Sequence, residues 1–504
     1  MATIPEALVA QLRAKKQEHV LKFYEAGKLR DDQVAQLRAQ LEELDLDFLQ
    51  SIFEASTRAD GEHEQAALEP LEQFDLLETC APADRAAWHA RGLKAISCGH
   101  VAAIVLAGGQ GTRLGFAGPK GMFRLELPSA KSLFQLFAER LRRLETLADA
   151  AFPTGAGAVV PFFVMTSPMN HDETVAYFAR HAFFGLREAQ VFFFRQGTLP
   201  CFTTTGKLML ENAHTLATAS DGNGSLYKAL ATSGALARLQ TSGVQFLHVF
   251  SVDNALCKPA DPTFIGYCVA KRADCANKVV WKSRASERVG VVARKSGRFC
   301  VVEYSEMDAA ACELVNPATG RLAFGAANIC NHFYTMDFLT QVVLPNLSLT
   351  YHVAHKQIPI ADDAGETFTP ATNSGVKLES FIFDVFPLST RMAVLAVPRE
   401  TEFAPVKNPS GSPVDSPESA LAMLQSEAKT WLAAAARRAL SEADASAFIR
   451  DTLEAASAVE VSPLASYNGE GLEAHVLALS GCTSASVTAQ EVIRIEPESL
   501  SATA

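Results

Sequence analysis

The chain has 504 residues, of which 48% are hydrophobic and 20% charged. At roughly 150 residues per domain, this length predicts about three domains with a large core, and the composition excludes wholesale disorder. Its 45 basic and 56 acidic residues leave a formal net charge of −11. That excludes a general binder of nucleic acid or anionic membranes, which needs a basic face, but not a small anion held in a locally basic pocket.

Residues 1–95 read as a helical domain, with leucines and aromatics at helical spacing over 7–24, 31–44 and 48–56. Asp31 and Asp32 suit the start of the second helix. The D-x-D string Asp45-Leu46-Asp47 lies inside this helical pattern, so it reads as solvated acids rather than a strand-end metal site. From about residue 96 the pattern changes. Short apolar runs at 101–107, 159–166, 191–194, 245–252, 278–282, 289–294, 299–304 and 392–397 read as strands, and helical stretches at 132–147 and 226–239 separate some of them. Strands without polar alternation, interleaved with helices, predict an α/β domain over 96–404. Its sheet should be mostly parallel and Rossmann-like, with helices on both faces and ligands beyond the carboxyl ends of the strands. Residues 405–504 read as a third domain. It comprises a proline-rich loop at 405–417, an alanine-rich helix at 419–440, and short strands at 458–461, 473–479 and 488–495, hence mainly β.

The ten cysteines form no C-x-x-C pair, which predicts reduced thiols in a cytoplasmic protein. Residues 1–11 lack the pattern of a secretory signal, residues 499–504 carry no prenylation or peroxisomal signal, and no apolar run spans a bilayer.

The strongest local signal is Leu106-Ala107-Gly108-Gly109-Gln110-Gly111-Thr112-Arg113-Leu114-Gly115, followed by Pro119-Lys120-Gly121-Met122. An apolar strand runs into a glycine-rich loop whose amides can approach a polyphosphate, and Arg113 and Lys120 add positive charge. The spacing fits neither the P-loop nor the dinucleotide fingerprint. A bare glycine turn is the bland alternative, and the two cations weigh against it.

This string resembles the signature of the eukaryotic UDP-N-acetylhexosamine pyrophosphorylases. Further segments resemble the same family: Gln196-Gly197-Thr198-Leu199-Pro200, Asp221-Gly222-Asn223-Gly224, Val252-Asp253-Asn254, Val289-Gly290-Val291-Val292, and Val301 to Glu306. So do Asn328-Ile329, Lys377 with Phe381-Ile382-Phe383-Asp384, and Glu402 to Asn408. A weaker similarity reaches Gln17-Glu18-His19. The resemblance implies uridylyl transfer from UTP to N-acetylglucosamine-1-phosphate, giving UDP-N-acetylglucosamine and pyrophosphate with Mg2+, or Mn2+ in its place. It implies that Arg113, Lys120 and Lys377 are catalytic, and that Leu106, Ala107, Gly108, Gly109, Gly111, Thr112, Gln196 and Gly222 bind UTP. It implies that Asn223, Gly290, Glu303, Asn328, Phe381, Phe383 and Lys407 bind the sugar phosphate, and that Asp253 holds the metal. Gln196 can read a uracil edge, because an amide both donates and accepts. Phe381 and Phe383 alternate as on one face of a strand, which suits an apolar pocket for the N-acetyl methyl or plain core packing.

Two departures from the family pattern bear on sugar selectivity: Ser225 replaces a glycine, and Gly325-Ala326-Ala327-Asn328 replaces N-A-G-N. Three rivals are a pyrophosphorylase of UDP-glucose or of broader UDP-sugar range, a nucleotide-sugar glycosyltransferase, and a silent nucleotide-sugar binder. Two lesser readings are that His352 and His355, three apart, share a helix face without a further ligand, and that His171 caps a turn.

Overall fold

The computed structural model describes residues 2–59, 68–304, 306–347, 350–481 and 492–497. Cys482, Ser305, residues 488–491 of the last expected strand, and the terminal residues 499–504 lie outside them. The chain divides into two compact units. One comprises 1–68, 196–229 and 346–385; the other comprises 69–195, 230–345 and 386–504. This differs from the consecutive stretches 1–95, 96–404 and 405–504, because each unit gathers segments far apart in sequence.

The larger unit is an α/β sheet. Its main strands are β1 (Asp75–Leu76), β2 (Val101–Leu106), β3 (Phe162–Thr166), β4 (Val191–Arg195), β5 (Phe246–Ser251), β6 (Cys275–Trp281), β7 (Ala326–Thr335) and β8 (Met392–Ala396). Their spatial order is β1-β8-β6-β7-β5-β2-β3-β4. Every pairing is parallel except those of β7, which runs antiparallel to both β6 and β5. A hairpin of Val291–Lys295 and Arg298–Val302 joins β7 through Val291 and Ala327. The eight apolar runs expected as strands all form strands within a few residues of their expected ends. β7 has no counterpart among them.

β2 is buried along its whole length, as a strand covered on both faces must be. The helix Leu133–Ala151 starts where Ser132 Oγ accepts from Gln135 N, and it turns Leu133, Phe134, Leu136, Phe137, Leu141 and Leu144 inward. Each such side chain contributes about 1.5–3 kcal/mol by leaving water. The helices Pro82–Ser97 and Pro262–Ala270 both begin at a proline, where the missing N–H costs nothing. They cross at Gly92 and Gly266, where an added Cβ would lie 1.9 Å from Pro262 O and 1.7 Å from Trp88 O; only glycine lets the two backbones meet. The expected helix 226–239 is split into Leu226–Thr232 and Ala235–Thr241 by Gly234 at φ +84°.

The carboxyl-terminal part is mainly helical rather than mainly β. The alanine-rich helix Pro417–Ala439 is followed by Glu442–Phe448 and Glu473–Gly481, while Ala458–Val461 pairs in parallel with Val492–Ile495. Residues 473–479 were expected to be a strand. Their inward positions instead follow helical spacing: Leu472, Val476 and Leu479 reach the core around Leu432, whereas Ala474 and Ala478 are exposed.

The smaller unit contains the helices Glu6–Ala14, Asp31–Glu42 and Leu46–Ala59. Its strands include the antiparallel pairs Thr198–Pro200 with Thr218–Ser220 and His352–Lys356 with Gly375–Glu379. Leu8, Leu12, Val20, Leu37 and Leu49 share one core with Phe202, Leu208, Val376 and Leu378. Gln17, His19 and the D-x-D acids have structural partners here. The Gln17 amide donates to Gly206 O at 2.9 Å and accepts from Leu208 N at 2.9 Å, and His19 meets Leu208 O at 2.7 Å. Asp45 Oδ1 accepts from Phe48 N at 2.9 Å at the start of the Leu46–Ala59 helix, and Asp47 pairs with Lys15.

Candidate active site

In the larger unit, β2 and β5 lie side by side with Leu106 opposite Ser251. The glycine loop and Asp253 therefore leave the sheet at the same carboxyl edge. Two backbone bonds fold the loop on itself: Gly111 N to Gly118 O at 2.8 Å and Lys120 N to Gly109 O at 3.1 Å. Among the described residues, the amides of Gly108 and Gln110 have no acceptor. Lys120 Nζ lies 3.9 Å from Asp253 Oδ2, both side chains being largely covered. Ser251 Oγ donates to Asp253 Oδ1 at 2.8 Å and fixes the carboxylate. No group of three or more His, Cys, Asp or Glu that could hold a metal ion occurs among the described residues. A lone carboxylate does not make a zinc or calcium cage, but it fits Mg2+, which keeps waters and draws most of its oxygens from substrate phosphates.

Val406 N donates to Asp253 O at 2.9 Å, which ties the segment carrying Lys407 to the same turn. Lys407 and Arg113 line a cavity of about 770 Å3 together with Arg284, Arg288 and Arg399. Arg399 is paired with Glu287. Arg113, Arg284, Arg288 and Lys407 have no carboxylate partner among the described residues, so the cavity is cationic in a protein that is acidic overall. Burial pushes the Asp415 carboxyl above its ordinary range, against the pull of Lys407 and Arg399. Nearby, Asn328 N donates to Gly290 O at 2.8 Å, and a Cβ on Gly290 would lie 2.8 Å from Glu303 Oε1. Gly290, Glu303 and Asn328 thus meet at the β7 edge.

A buried set of charges backs this edge. Lys278 reaches Asp261 at 2.7 Å and Glu402 at 2.9 Å; Lys258 reaches Glu427 at 3.1 Å. Asn254 donates to Glu402 O at 2.7 Å and accepts from Ala404 N at 2.9 Å, clipping the residue after Asp253 to the segment before Lys407. Burial opposes the charge on Lys258, yet Glu402 and Glu427 raise its pKa above the ordinary lysine value.

The remaining candidates gather in the smaller unit. Gln196 is buried, and its Nε2 donates to Ser220 Oγ at 2.5 Å, which also accepts from Gly222 N at 3.2 Å. Gly222 has φ +92°, and a Cβ there would lie 2.1 Å from Ser380 O. Asn223 Oδ1 accepts from Ile382 N at 3.0 Å, leaving its amide donors for other partners. Burial pushes the Asp221 carboxyl above its usual range. Phe381 and Phe383 do not lie on a strand. They belong to the turn around the 3-10 segment Ile382–Leu388, which stacks their rings with centroids 5.0 Å apart. Lys377 lies on the strand Gly375–Glu379, with Nζ 3.5 Å from Glu379 Oε1.

Ser225 is buried and its Oγ donates to Gly222 O at 2.8 Å, so this departure closes the turn from within. Ala326 and Ala327 are buried in β7. His352 and His355 lie on a strand, where a separation of three puts them on opposite faces, not on one helix face. His171 begins the helix His171–Arg180, its Nδ1 2.7 Å from Thr166 Oγ1. Sequence reasoning missed Ser251, Arg284, Arg288 and Asn170; an Asn after Pro-Met reads only as a turn.

The pattern of the UTP–glucose-1-phosphate uridylyltransferase family matches residues 60–441. The chain belongs to this family. Within it, UDP-N-acetylglucosamine diphosphorylase 1 of Arabidopsis thaliana is 40% identical, with 94% of this chain and 92% of that one covered. UDP-N-acetylhexosamine pyrophosphorylase-like protein 1 of Homo sapiens is 41% identical, over 93% and 94%. The solved uridine diphosphate N-acetylglucosamine pyrophosphorylase of Trypanosoma brucei, in complex with an inhibitor, superposes with TM-score 0.86 at 30% identity over 99% of each chain. The family resemblance read from the motifs and the mostly parallel α/β sheet both hold. Among the described residues no helix is long and apolar enough to cross a membrane.

Proposed function

We propose that this chain transfers the uridylyl group of UTP to N-acetylglucosamine-1-phosphate, releasing pyrophosphate and UDP-N-acetylglucosamine. The observation that carries the reading is Lys120 Nζ at 3.9 Å from Asp253, beside the glycine loop at the carboxyl edge of the sheet. The family is named for glucose-1-phosphate, but the relatives aligned along nearly the whole chain are named for the N-acetylated sugar.

In the proposed reaction a phosphate oxygen of the sugar phosphate attacks the α-phosphorus of UTP. The bond to the β-phosphate bridging oxygen breaks, and pyrophosphate leaves with that electron pair. Both reactants are anions, so the work is positioning and charge neutralisation, with no covalent intermediate required. The loop from Leu106 to Thr112 presents backbone amides to the triphosphate, and Arg113 adds a cationic fork. Lys120 meets the charge that builds at the α-phosphate. Lys377 and Lys407 neutralise substrate phosphates, Gln196 and Gly222 hold the uracil, and Asn223, Gly290, Glu303 and Asn328 take sugar hydroxyls. Phe381 and Phe383 offer apolar surface to the N-acetyl methyl. Asp253 would hold Mg2+ or Mn2+, which supplies positive charge to the phosphate oxygens. All described cysteines are free thiols, in keeping with a cytoplasmic setting.

The test is a panel of sugar-1-phosphates assayed with UTP and Mg2+ for pyrophosphate release. Turnover with N-acetylglucosamine-1-phosphate is expected. Turnover with glucose-1-phosphate and none with the N-acetylated sugar would overturn the substrate assignment.

A further inference from the structure

Asn170 lies 1% exposed between β3 and the helix His171–Arg180. Its Nδ2 donates to Ala107 O at 2.9 Å and to Gly109 O at 3.3 Å, and its Oδ1 accepts from Ser167 N at 2.8 Å. Its backbone is also fixed: Asn170 N donates to Ser167 O at 3.1 Å, and Asn170 O accepts from Thr174 N at 3.0 Å and from the Thr174 hydroxyl at 2.7 Å. One amide therefore clamps two carbonyls of the glycine loop to the end of the neighbouring strand.

A trans peptide points its C=O and its N–H in opposite directions. Holding Ala107 O and Gly109 O toward Asn170 turns the N–H groups of Gly108 and Gln110 away from it. These are the amides without an acceptor among the described residues. Consecutive glycine-loop peptides flip easily, and a flipped one would offer a carbonyl oxygen to an anion. We infer that Asn170 is a positioning residue for UTP: its amide sets the polarity of the glycine loop so that N–H groups, not carbonyls, face the triphosphate. This rests on the reading of that loop as the triphosphate site.

The deciding variant is Asn170→Asp. It keeps size and the bond from Ser167 N but cannot donate, and it sets a carboxylate against two carbonyls. Losing two donated bonds predicts a rise of about tenfold or more in KM for UTP, with KM for the sugar phosphate changed less than about twofold. Equilibrium UTP binding, measured by calorimetry without the second substrate, is expected to weaken by the same factor. Asn170→Ala, which leaves no new charge, is expected to show a smaller shift in the same direction. A structural role alone would lower the fraction of folded enzyme and its maximal rate while leaving both KM values in place. An unchanged KM for UTP in both variants overturns the inference, provided that Arg113→Ala raises it. If Arg113→Ala also leaves UTP binding unchanged, the reading of the loop is what fails.

Discussion

Removing the Lys120 ammonium perturbs the proposed centre with little cost to the fold. Lys120 makes its loop-closing bond through its backbone N, to Gly109 O at 3.1 Å, which Lys120→Ala retains. Its ion pair among the described residues, to Asp253, spans 3.9 Å. At that distance two unit charges attract by about 4 kcal/mol at an effective dielectric constant near 20, but desolvation and the entropy of a long side chain cancel most of this. Partly exposed pairs are worth about 0–1 kcal/mol net, so the melting temperature is expected to fall by no more than a few degrees. Turnover behaves differently, because charge on the transferring phosphate is met by a preorganised cation only in the transition state. Loss of one such donor costs about 10²–10³ in rate, or about 2.7–4 kcal/mol. If Asp253 holds the metal as proposed, the ammonium would compete with it for the carboxylate, so Lys120→Ala is expected to lower the half-saturating Mg2+ concentration while the rate collapses. The assay is coupled pyrophosphate release over a Mg2+ titration, with circular dichroism to confirm folding. Turnover within about fivefold of the parent, in a folded variant, would refute the role of Lys120.

Phe383→Ala is expected to raise KM for N-acetylglucosamine-1-phosphate at least severalfold more than KM for UTP, since Phe383 stacks on Phe381 at 5.0 Å; equal effects on both would point to core damage alone. Stability is expected to fall below neutral pH. Burial lowers the pKa of His248 to about 4 and of His332 to about 3, while in the unfolded chain both titrate near 6.5. The unfolded state then binds more protons than the fold does between those limits. Stability is therefore full above pH 6.5 and lost as pH falls, by about 1.4 kcal/mol per unit for each ring. His248 shows why it stays neutral: Nδ1 accepts from Ala260 N at 2.8 Å while Nε2 faces Asn331 Oδ1 at 2.6 Å, so a second proton would break the first bond. Denaturant unfolding from pH 7 to 5.5 is expected to lose about 2–3 kcal/mol from the pair, and His332→Leu is expected to halve that slope; an unchanged slope would contradict it.

The parallel strands were legible because burial on both faces demands apolar runs: β2, β3, β4 and β8 supply them, and in β5 and β6 only His248 and the pair Asn277 and Lys278 break them. β7 was not, because Asn328, Asn331 and His332 interrupt its apolar pattern; Asn331 is inside, bonded to His248. Alternation at 473–479 mimicked a strand because alanine suits either face of either element. Phe381 and Phe383 were rightly read as neighbours but for the wrong reason, since a 3-10 turn brings their rings together as well as a strand would. The glycine loop announced itself through residue types that few other structures need. Asn170 did not, because what it does depends on two carbonyls some sixty residues earlier in the chain.

The core of the smaller unit carries a consequence for synthesis. Leu8, Leu12 and Leu37 share their core with Phe202 and Leu208 and also with Val376 and Leu378. On the ribosome the first helices emerge early, but Val376 and Leu378, which belong to the same core, follow only after most of the chain has been made. Contacts so distant in sequence form late and slowly. Until those two residues arrive, the core that the leucines belong to is incomplete.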